Sequence, residues 1–225
     1  MSTQPLPRRL TAEALGSFLL FATVIGSGVM AERLAAGNVA VALIGNTAAT
    51  GAMLFVLITM LGPVSGAHFN PAVTLVAALR GELGWRDGAG YAVAQLGAGI
   101  LGVWTAHLMF DLPIIQVSTH TRTGPGQWAG EFVATFGLVL TIIGTVRMRA
   151  AAVPASVALY ICAAYWFNSS TSFANPAISA ARSLSDSFAG IAPRDAPAFE
   201  MAQLAGALAA HWVARGLFPA DPSPA

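Results

Sequence analysis

The chain has 225 residues, of which 56% are hydrophobic and only 9% are charged, whereas ordinary soluble domains carry about 25% charged residues. Eleven arginines face ten acidic residues and lysine is absent, so the net charge is +1 and a basic nucleic-acid-binding surface is excluded. The single cysteine, Cys162, excludes a disulfide scaffold and a paired-cysteine metal site. These counts predict one domain, residues 1–225, that lies in a lipid bilayer and holds no metal or other cofactor.

Six segments are long and apolar enough to cross the hydrocarbon core of a bilayer, which takes about 20 residues of helix. In chain order, these predicted spans are Leu10–Ala31, Val39–Leu61, Gly88–Leu108, Trp128–Val146, Ala151–Phe167 and Phe199–Leu217. Backbone in lipid must satisfy its own hydrogen bonds, so each span is predicted to be a helix. The first span follows two arginines, as a signal peptide does, but its 22 residues are long for a cleaved signal and further spans follow.

Two connecting segments, one between spans 2 and 3 and one between spans 5 and 6, are apolar and do not resemble loops. They begin with Asn70-Pro71-Ala72 and Asn175-Pro176-Ala177. Each continues for up to about ten mostly apolar residues, which is too short to span a bilayer. Asn is a favoured helix N-cap and Pro a favoured first helical residue. We therefore predict two re-entrant half-helices whose positive dipole ends lie deep in the membrane.

The two halves of the chain carry the same polar residues in the same order. Glu13 and Glu131 each begin a pattern of Glu, two residues, a small residue, Ser or Thr, and Phe, while Gln95 and Gln203 each lie within Ala-Gln-Leu. The halves, about residues 10–108 and 128–217, contain three predicted spans each. Because three is an odd number, the second half must insert upside down relative to the first, as in the inverted repeats of many transport proteins.

Arginine is distributed unequally between the two sets of connecting segments. With the N-terminus taken as cytoplasmic, seven arginines fall on the inner side and four on the outer side. Positive charge is enriched in cytoplasmic loops. The distribution therefore predicts a multi-pass protein of the inner (plasma) membrane with both termini in the cytoplasm.

Two Asn-Pro-Ala half-helices within inverted three-span repeats resemble the major intrinsic protein family, the aquaporins and glycerol facilitators. The segment Ser-Gly-Ala-His-Phe-Asn-Pro-Ala-Val-Thr, residues 65–74, is similar to the family's first signature, and the resemblance extends over residues 11–217. It implies an all-α fold of six transmembrane helices plus two half-helices that meet head to head at the membrane midplane. It also implies a homotetramer with one pore per protomer, in which Asn70 and Asn175 face the pore and the half-helix dipoles exclude cations.

Glu13 and Glu131 are the only acids well inside predicted spans, and an acid in that position is by default a functional site. In the family, the corresponding acids accept hydrogen bonds from the non-helical backbone that precedes each half-helix. The resemblance therefore implies a structural role for both acids, and for Gln95 and Gln203, in preference to a proton relay. His68 is predicted to lie at the edge of the pore.

Four positions counted from the two motifs form the family's selectivity filter, a constriction on the extracellular side. In this sequence they hold Thr50, Ala163, Ser172 and Ile178. Because the family nearly always has Arg at the position of Ile178, the resemblance implies a wider and less polar gate than in a water-selective channel. Arg182, one helical turn further on, has two interpretations: a residue of the outer vestibule, or an anchor for the C-terminal end of the half-helix.

The leading hypothesis is a passive channel, and not an enzyme, for small neutral polar solutes such as water, glycerol-like polyols and metalloid hydroxides. The segment from Asn168 to Ile191 is similar to a bacterial branch of the family often found with arsenic-resistance functions. In that branch an aliphatic residue also replaces the filter Arg. This similarity is the basis for including arsenite and methylated arsenicals among the expected solutes.

Two alternatives to this hypothesis remain open. An ion-coupled secondary transporter would also show inverted repeats and broken helices, and it would use Glu13 and Glu131 as its coupling groups. The other alternative is an aquaporin that conducts mainly water. An intramembrane enzyme is disfavoured, because the sequence contains no Gly-x-Ser-x-Gly, His-Glu-x-x-His or paired-Asp signature.

Overall fold

The computed structural model describes residues 4–218, and the regular structure within that range is entirely helical. The α-helices are α1 (Leu6–Leu34), α2 (Val39–Ser65), α3 (Pro71–Leu79), α4 (Trp85–Met109), α5 (Pro125–Arg149), α6 (Val153–Phe167), α7 (Pro176–Arg182) and α8 (Ala196–Leu217). Six of these helices overlap the six predicted spans. The other two, α3 with nine residues and α7 with seven, begin at the prolines of the two motifs, as predicted for half-helices.

Four helical stretches of the described chain are long and apolar enough to cross a membrane: Leu6–Leu34, Val39–Ser65, Trp85–Met109 and Pro125–Phe167. The last stretch contains both α5 and α6, which a single 3-10 turn joins at Ala150–Ala152. Arg149 leaves the helical region there, with φ −160° and ψ 78°, and the two helices pack against each other. The sixth predicted span, α8, has 22 residues but a lower hydropathy, because Glu200, Gln203 and His211 interrupt it.

Both ends of the described chain lie on one side of the helical bundle. Arg9, near the start of α1, forms a salt bridge with Asp87 in the first turn of α4, with an N–O distance of 2.5 Å. Arg80, just before α4, lines a pocket together with Arg147 and Arg215 from the ends of α5 and α8. We call this face the terminal side, and we call the opposite face, formed by residues 110–124 and 183–195, the loop side.

Each repeat is held together by a close contact between its first and last long helices. A Cβ atom built on Gly102 of α4 would overlap the carbonyl oxygen of Phe18 on α1, and one built on Gly206 of α8 would overlap that of Phe132 on α5. Only glycine allows two helix backbones to approach so closely. These two contacts hold the walls of each repeat around the irregular segments that precede the half-helices.

The polarity of the molecule is reversed relative to that of a soluble protein. Large apolar side chains such as Val93, Leu159 and Met201 are 73%, 70% and 68% exposed on the outer surface, where lipid is a suitable solvent for them. Four polar side chains of the two repeats are instead fully buried. They are Glu13, Gln95, Glu131 and Gln203. Buried polar groups need hydrogen-bond partners. The irregular segments supply them for the two glutamates, and each glutamine donates to the glutamate of its own repeat.

Candidate functional site: a pore through the two half-helices

The two half-helices begin at one point in the interior of the molecule. Nδ2 of Asn70 donates to the carbonyl oxygen of Ala174 at 2.7 Å, and Nδ2 of Asn175 donates to that of Phe69 at 2.8 Å. Each asparagine thus binds the segment that precedes the other half-helix. This reciprocal exchange places the N-termini of α3 and α7 against each other, which is the head-to-head arrangement that the resemblance implies.

Each asparagine also caps its own half-helix. Oδ1 of Asn70 accepts from the N–H of Ala72 at 2.9 Å, and Oδ1 of Asn175 accepts from the N–H groups of Ala177 and Ile178 at 3.0 and 3.2 Å. A side-chain amide has two N–H donors, and only one of each pair is used in the exchange between the half-helices. Because both asparagines line the central cavity, the second donor of each is available to a solute.

The irregular backbone before α3 is bound by the carboxylate of Glu13. Its Oε1 accepts from the hydroxyl of Ser65 at 2.6 Å and the N–H of His68 at 3.0 Å. Its Oε2 accepts from the N–H of Phe69 at 2.7 Å and Nε2 of Gln95 at 2.8 Å. All four partners are donors, so the carboxylate acts purely as an acceptor for groups that would otherwise be buried without a partner.

Glu131 occupies the equivalent place before α7. Its Oε1 accepts from the N–H of Phe173 at 2.8 Å, while its Oε2 accepts from the N–H of Ala174 at 2.8 Å and Nε2 of Gln203 at 2.6 Å. The two acids therefore bind two backbone N–H groups in each irregular segment, and side chains of Ser65, Asn168 and Ser170 bind those of Ala67 and Ser172. What the backbone of these segments can still offer to the cavity is its carbonyl oxygens.

These irregular segments contain unusual backbone conformations. Five of their non-glycine residues have positive φ between 48° and 65°. They are Ala67, Phe69, Thr171, Ser172 and Ala174. Such conformations cost about 1–3 kcal/mol each and persist only where surrounding contacts enforce them. The two buried glutamates provide that enforcement at Phe69 and Ala174. At Ala67 and Ser172 the side chains of Ser65, Asn168 and Ser170 provide it by accepting the backbone N–H groups.

A cavity of about 270 Å³ runs past both asparagines and reaches Arg80 and Glu82 at the terminal side and Arg182 towards the loop side. Most of its wall is apolar. The apolar residues from α1, α2, α5 and α6 include Leu20, Val24, Leu54, Ile58, Leu138, Ile142, Val157 and Ile161. The rest of the wall comes from the half-helices, from residues 66–70 and 172–175, and from the polar side chains of Thr50, Tyr165, Arg80 and Glu82. We call residues 66–70 and 172–175 the polar strip of the wall. His68 lies in this strip, with Nδ1 3.1 Å from the hydroxyl oxygen of Thr74.

Three of the four predicted filter residues line the cavity between the asparagines and the loop side. Thr50 of α2 is 3% exposed, Ser172 is 2% exposed, and Ile178 of α7 is 5% exposed. The hydroxyl oxygen of Ser172 has no hydrogen-bond partner among the residues that the structure describes. It is therefore available to a solute, in contrast to most buried hydroxyls.

The structure corrects the fourth filter residue. Ala163 lies on the exposed face of α6, outside the cavity lining. Tyr165 lines the cavity in its place, and its hydroxyl donates to Oγ1 of Thr50 at 3.3 Å. The count back from Asn175 fails because residues 168–175 are not helical, and a fixed spacing cannot carry the phase of a helix across an irregular segment. A large aromatic ring thus stands where the sequence predicted a methyl group.

Arg182 lines the cavity and is only 2% exposed, which is unusual for a charged residue. Its guanidinium carbon is 3.3 Å from the centroid of the Phe173 ring, and its Nε donates to the carbonyl oxygen of Ala189. The bond to Ala189 leads away from the carbonyls at the end of α7. The cavity therefore retains a cation one turn beyond Ile178, although the sequence predicted an uncharged and less polar filter.

Arg122, which no motif in the sequence singled out, closes the loop side behind Arg182. Its N–H donates to Oδ2 of Asp195 at 2.9 Å, and its side chain donates to the carbonyl oxygens of Gly190 at 2.8 Å and Phe188 at 3.1 Å. These bonds join residues 110–124 to residues 183–195 over the end of the cavity. Burial at this site lowers the pKa of the Arg122 guanidinium.

Asp186 makes a second connection between the two loop-side segments. Its Oδ1 accepts from the N–H of Thr119 at 2.8 Å and from the hydroxyl of Thr119 at 3.0 Å. These two hydrogen bonds lower the pKa of the Asp186 carboxyl group. The contact is on the exposed surface of the loop side, so its strength is expected to respond to the pH of the surrounding solution.

Comparisons with known proteins agree with this geometry. The family described as "Major intrinsic protein" matches residues 1–213. The aquaglyceroporin AqpS of Rhizobium meliloti (strain 1021) is 56% identical over 218 residues, which cover 96% of this chain and 93% of AqpS. A probable NIP-type aquaporin of Nicotiana alata is 35% identical over 140 residues, which cover 61% of this chain and 50% of that protein.

A solved structure shares the fold. The X-ray structure of the aquaglyceroporin from Plasmodium falciparum matches with a TM-score of 0.73 at 16% sequence identity, covering 96% of this chain and 98% of that one. The match confirms the predicted all-helical fold class with its repeated halves. Together with the family match over nearly the whole length, it settles the class of molecule. The chain belongs to the major intrinsic protein family and is a multi-pass membrane channel for small neutral solutes, not an enzyme.

Proposed function

We propose that this channel conducts glycerol-like polyols and metalloid trihydroxides such as arsenite, in addition to water. The observation that carries the proposal is the division of the cavity wall into an apolar part and a polar strip. In the strip, backbone carbonyls at residues 66–69 and 172–174 can accept hydrogen bonds, and the amides of Asn70 and Asn175 can donate them. A hydroxyl group does both, so a molecule with several hydroxyls suits this strip while its apolar parts face the remaining wall.

Flux measurements with a matched pair of variants test this proposal. The full chain is reconstituted in liposomes, and the fluxes of water, glycerol, urea and arsenite are measured against protein-free vesicles. Ile161→Trp fills the cavity wall, whereas Leu159→Trp adds the same side chain to the outer surface of the same helix, where Leu159 is 70% exposed. We expect Ile161→Trp alone to lower all fluxes to background. Wild-type flux at the protein-free level for glycerol and arsenite would refute the proposed solute range.

A mainly water-conducting channel is the second candidate, and the position of Tyr165 favours it. The Tyr165 ring, held to Thr50 by a hydrogen bond of 3.3 Å, reduces the width of the cavity at the predicted filter. Retained water flux with background glycerol and arsenite fluxes would support this candidate. A ratio of glycerol to water flux that stays well above that of the bare membrane would support the wider solute range.

Ion coupling through Glu13 and Glu131 has little support in the contacts of these residues. Both carboxylates are fully buried and accept hydrogen bonds from buried donors, and neither lines the cavity. A coupling group needs access to the transported ion and freedom to change partners. Downhill flux without an ion gradient is therefore expected, and uphill accumulation driven by a proton or sodium gradient would overturn this expectation.

The proposal includes a homotetramer in the inner (plasma) membrane, with the terminal side in the cytoplasm. The cavity is lined by one chain, so each protomer of such an assembly would have its own pore. Arg80, Arg147 and Arg215 share a pocket on the terminal side, as the positive-inside rule expects of a cytoplasmic face. Native mass spectrometry tests the tetramer. Reporter fusions at the C-terminus test the orientation, and a periplasmic reporter signal would contradict it.

A further inference from the structure

We propose that Arg182 and Ser172 together select the solute in this channel, with Arg182 supplying the charge that Ile178 lacks. The inference rests on the proposed function, because it names the groups that choose among the solutes entering the cavity. It is carried by the unused hydrogen-bonding capacity of these two buried side chains at one place in the cavity wall.

Most N–H donors of the Arg182 guanidinium have no hydrogen-bond partner among the described residues. A buried cation requires hydrogen bonds or a paired acid, yet no carboxylate among residues 4–218 forms an ion pair with Arg182. Within the same range, its side chain makes one hydrogen bond, from Nε to the carbonyl oxygen of Ala189. A guanidinium has five N–H donors, so the four on its terminal nitrogens remain for whatever occupies the cavity.

The position of this guanidinium is set by the aromatic ring beneath it. Arg182 lies over Phe173 with 3.3 Å between the guanidinium carbon and the ring centroid, a favourable cation–π geometry. The Phe173 ring is itself held edge-on to Phe199 with centroids 5.2 Å apart, and its backbone N–H is bound by Glu131. Because the Phe173 ring is fixed by its contact with Phe199 and by the backbone bond to Glu131, the guanidinium that packs on it is held in one orientation.

Arg122 does not compete for the solute. It approaches the same Phe173 ring at 5.3 Å, but its side chain donates to the carbonyl oxygens of Gly190 and Phe188 and it does not line the cavity. Its charge nevertheless adds to that of Arg182. Within the described residues neither guanidinium forms a salt bridge with an acid, and two cations close to one ring raise the barrier to a permeating cation.

Ser172 provides the complementary group. Its Oγ is buried without a partner in the part of the chain that the structure describes, and the residue lines the same cavity as Arg182. A serine hydroxyl both accepts and donates. A neutral hydroxylated solute can thus accept from Arg182 through an oxygen lone pair and donate to Ser172 through its proton. A simple alkylammonium ion such as methylammonium has no lone pair to offer and is repelled.

The test compares two fluxes in proteoliposomes: methylammonium relative to water, and glycerol relative to water. Arg182→Met removes the charge while keeping a long side chain, and we expect the methylammonium-to-water ratio to rise about tenfold or more, because an uncompensated buried charge acts strongly at short range. Arg194→Met is the matched control, since Arg194 is an exposed loop-side arginine outside the cavity, and it should leave both ratios unchanged. Adding Ile178→Arg to Arg182→Met should restore the exclusion of methylammonium.

If Arg182→Met does not fold, two milder variants test the selection by Arg182 and Ser172. Arg182→Lys retains the charge but not the planar set of donors, so it should keep methylammonium excluded and lower the glycerol-to-water ratio. Ser172→Ala should lower the glycerol-to-water ratio about threefold to tenfold, the usual effect of losing one hydrogen bond, with methylammonium still excluded.

The outcomes separate this inference from the proposed function. A wild-type channel that passes no neutral solute refutes the proposed function. The further inference fails by itself if the wild-type channel passes neutral solutes but the Arg182 and Ser172 variants, folded and water-conducting, show the same two flux ratios as the wild type. The proposed function would then still stand. Restored methylammonium exclusion with Ile178→Arg is the result that a merely structural role of Arg182 would not produce.

Discussion

Replacing the two buried glutamates by glutamine should destabilise the protein to different extents. Glutamine substitutes an NH2 donor for one carboxylate oxygen. At Glu131, the amide oxygen can keep the two donors of Oε2 and lose only the N–H of Phe173, at a cost of about 1–3 kcal/mol for one buried unsatisfied donor. At Glu13, two donors bind each oxygen. The best orientation leaves the N–H of His68 without an acceptor, at about 1–3 kcal/mol, and in addition turns the Ser65 hydroxyl from a donor into an acceptor of the new NH2 group, so the total cost exceeds that at Glu131.

The prediction is therefore an order of stability, with Glu13→Gln below Glu131→Gln and both below the wild type. Apparent unfolding temperatures in detergent, followed by tryptophan fluorescence and size-exclusion chromatography, provide the measurement. Glu200→Gln is the control, because Glu200 is a half-buried acid on α8 that is remote in sequence from both irregular segments. Equal stability of Glu13→Gln and Glu200→Gln would show that the carboxylate contacts do not support the pore.

Three further predictions concern the pore width, the helix contact and the loop side. Tyr165→Ala should raise the flux of erythritol relative to glycerol, whereas Ala163→Tyr on the outer face of α6 should leave this ratio unchanged. An erythritol-to-glycerol ratio in Tyr165→Ala equal to that of the wild type would show that Tyr165 does not form the constriction. Gly206→Ala should cost about 1–3 kcal/mol through overpacking, and Gly97→Ala, which meets no neighbouring atom within 4 Å, should not. Because hydrogen bonds lower the folded-state pKa of Asp186, its contribution to stability is present above its unfolded-state pKa and lost as the pH falls through the folded-state value. Hydrogen-exchange protection of the loop-side segments, corrected for intrinsic rates, should fall in acid and be low at all pH values in Asp186→Asn.

Local chemistry made the centre of the pore predictable. Asn followed by Pro specifies a cap and a first helical residue whatever the surroundings, and both half-helices begin at those prolines. The acids Glu13 and Glu131 were likewise evident, since an acid inside an apolar span must have buried partners. Their partners were inferred from the family resemblance, because nothing in the local sequence specifies contacts between residues 42 or more positions apart.

The loop-side end of the pore was not predictable in the same way. Which face of α6 meets the cavity depends on where the helix ends and on the path of residues 168–175, and this path put Tyr165 in the place expected for Ala163. The position of Arg182 depends on the Phe173 ring and on the carbonyl oxygen of Ala189, which the chain brings near only through its tertiary fold. Spacing rules describe single elements, and these contacts join several.

The exchange of hydrogen bonds between the two half-helices has a consequence for the order in which the protein can be assembled. Asn70 and Phe69 find their partners in Ala174 and Asn175, more than a hundred residues later in the chain. Until the second repeat has inserted, the side-chain amide of Asn70 and the carbonyl oxygen of Phe69 lack these partners, which carries a free-energy cost in the membrane interior. The second repeat removes this cost by supplying the partners. The groups that later face the solute therefore favour the association of the two halves, and the pore is complete only when the fold is complete.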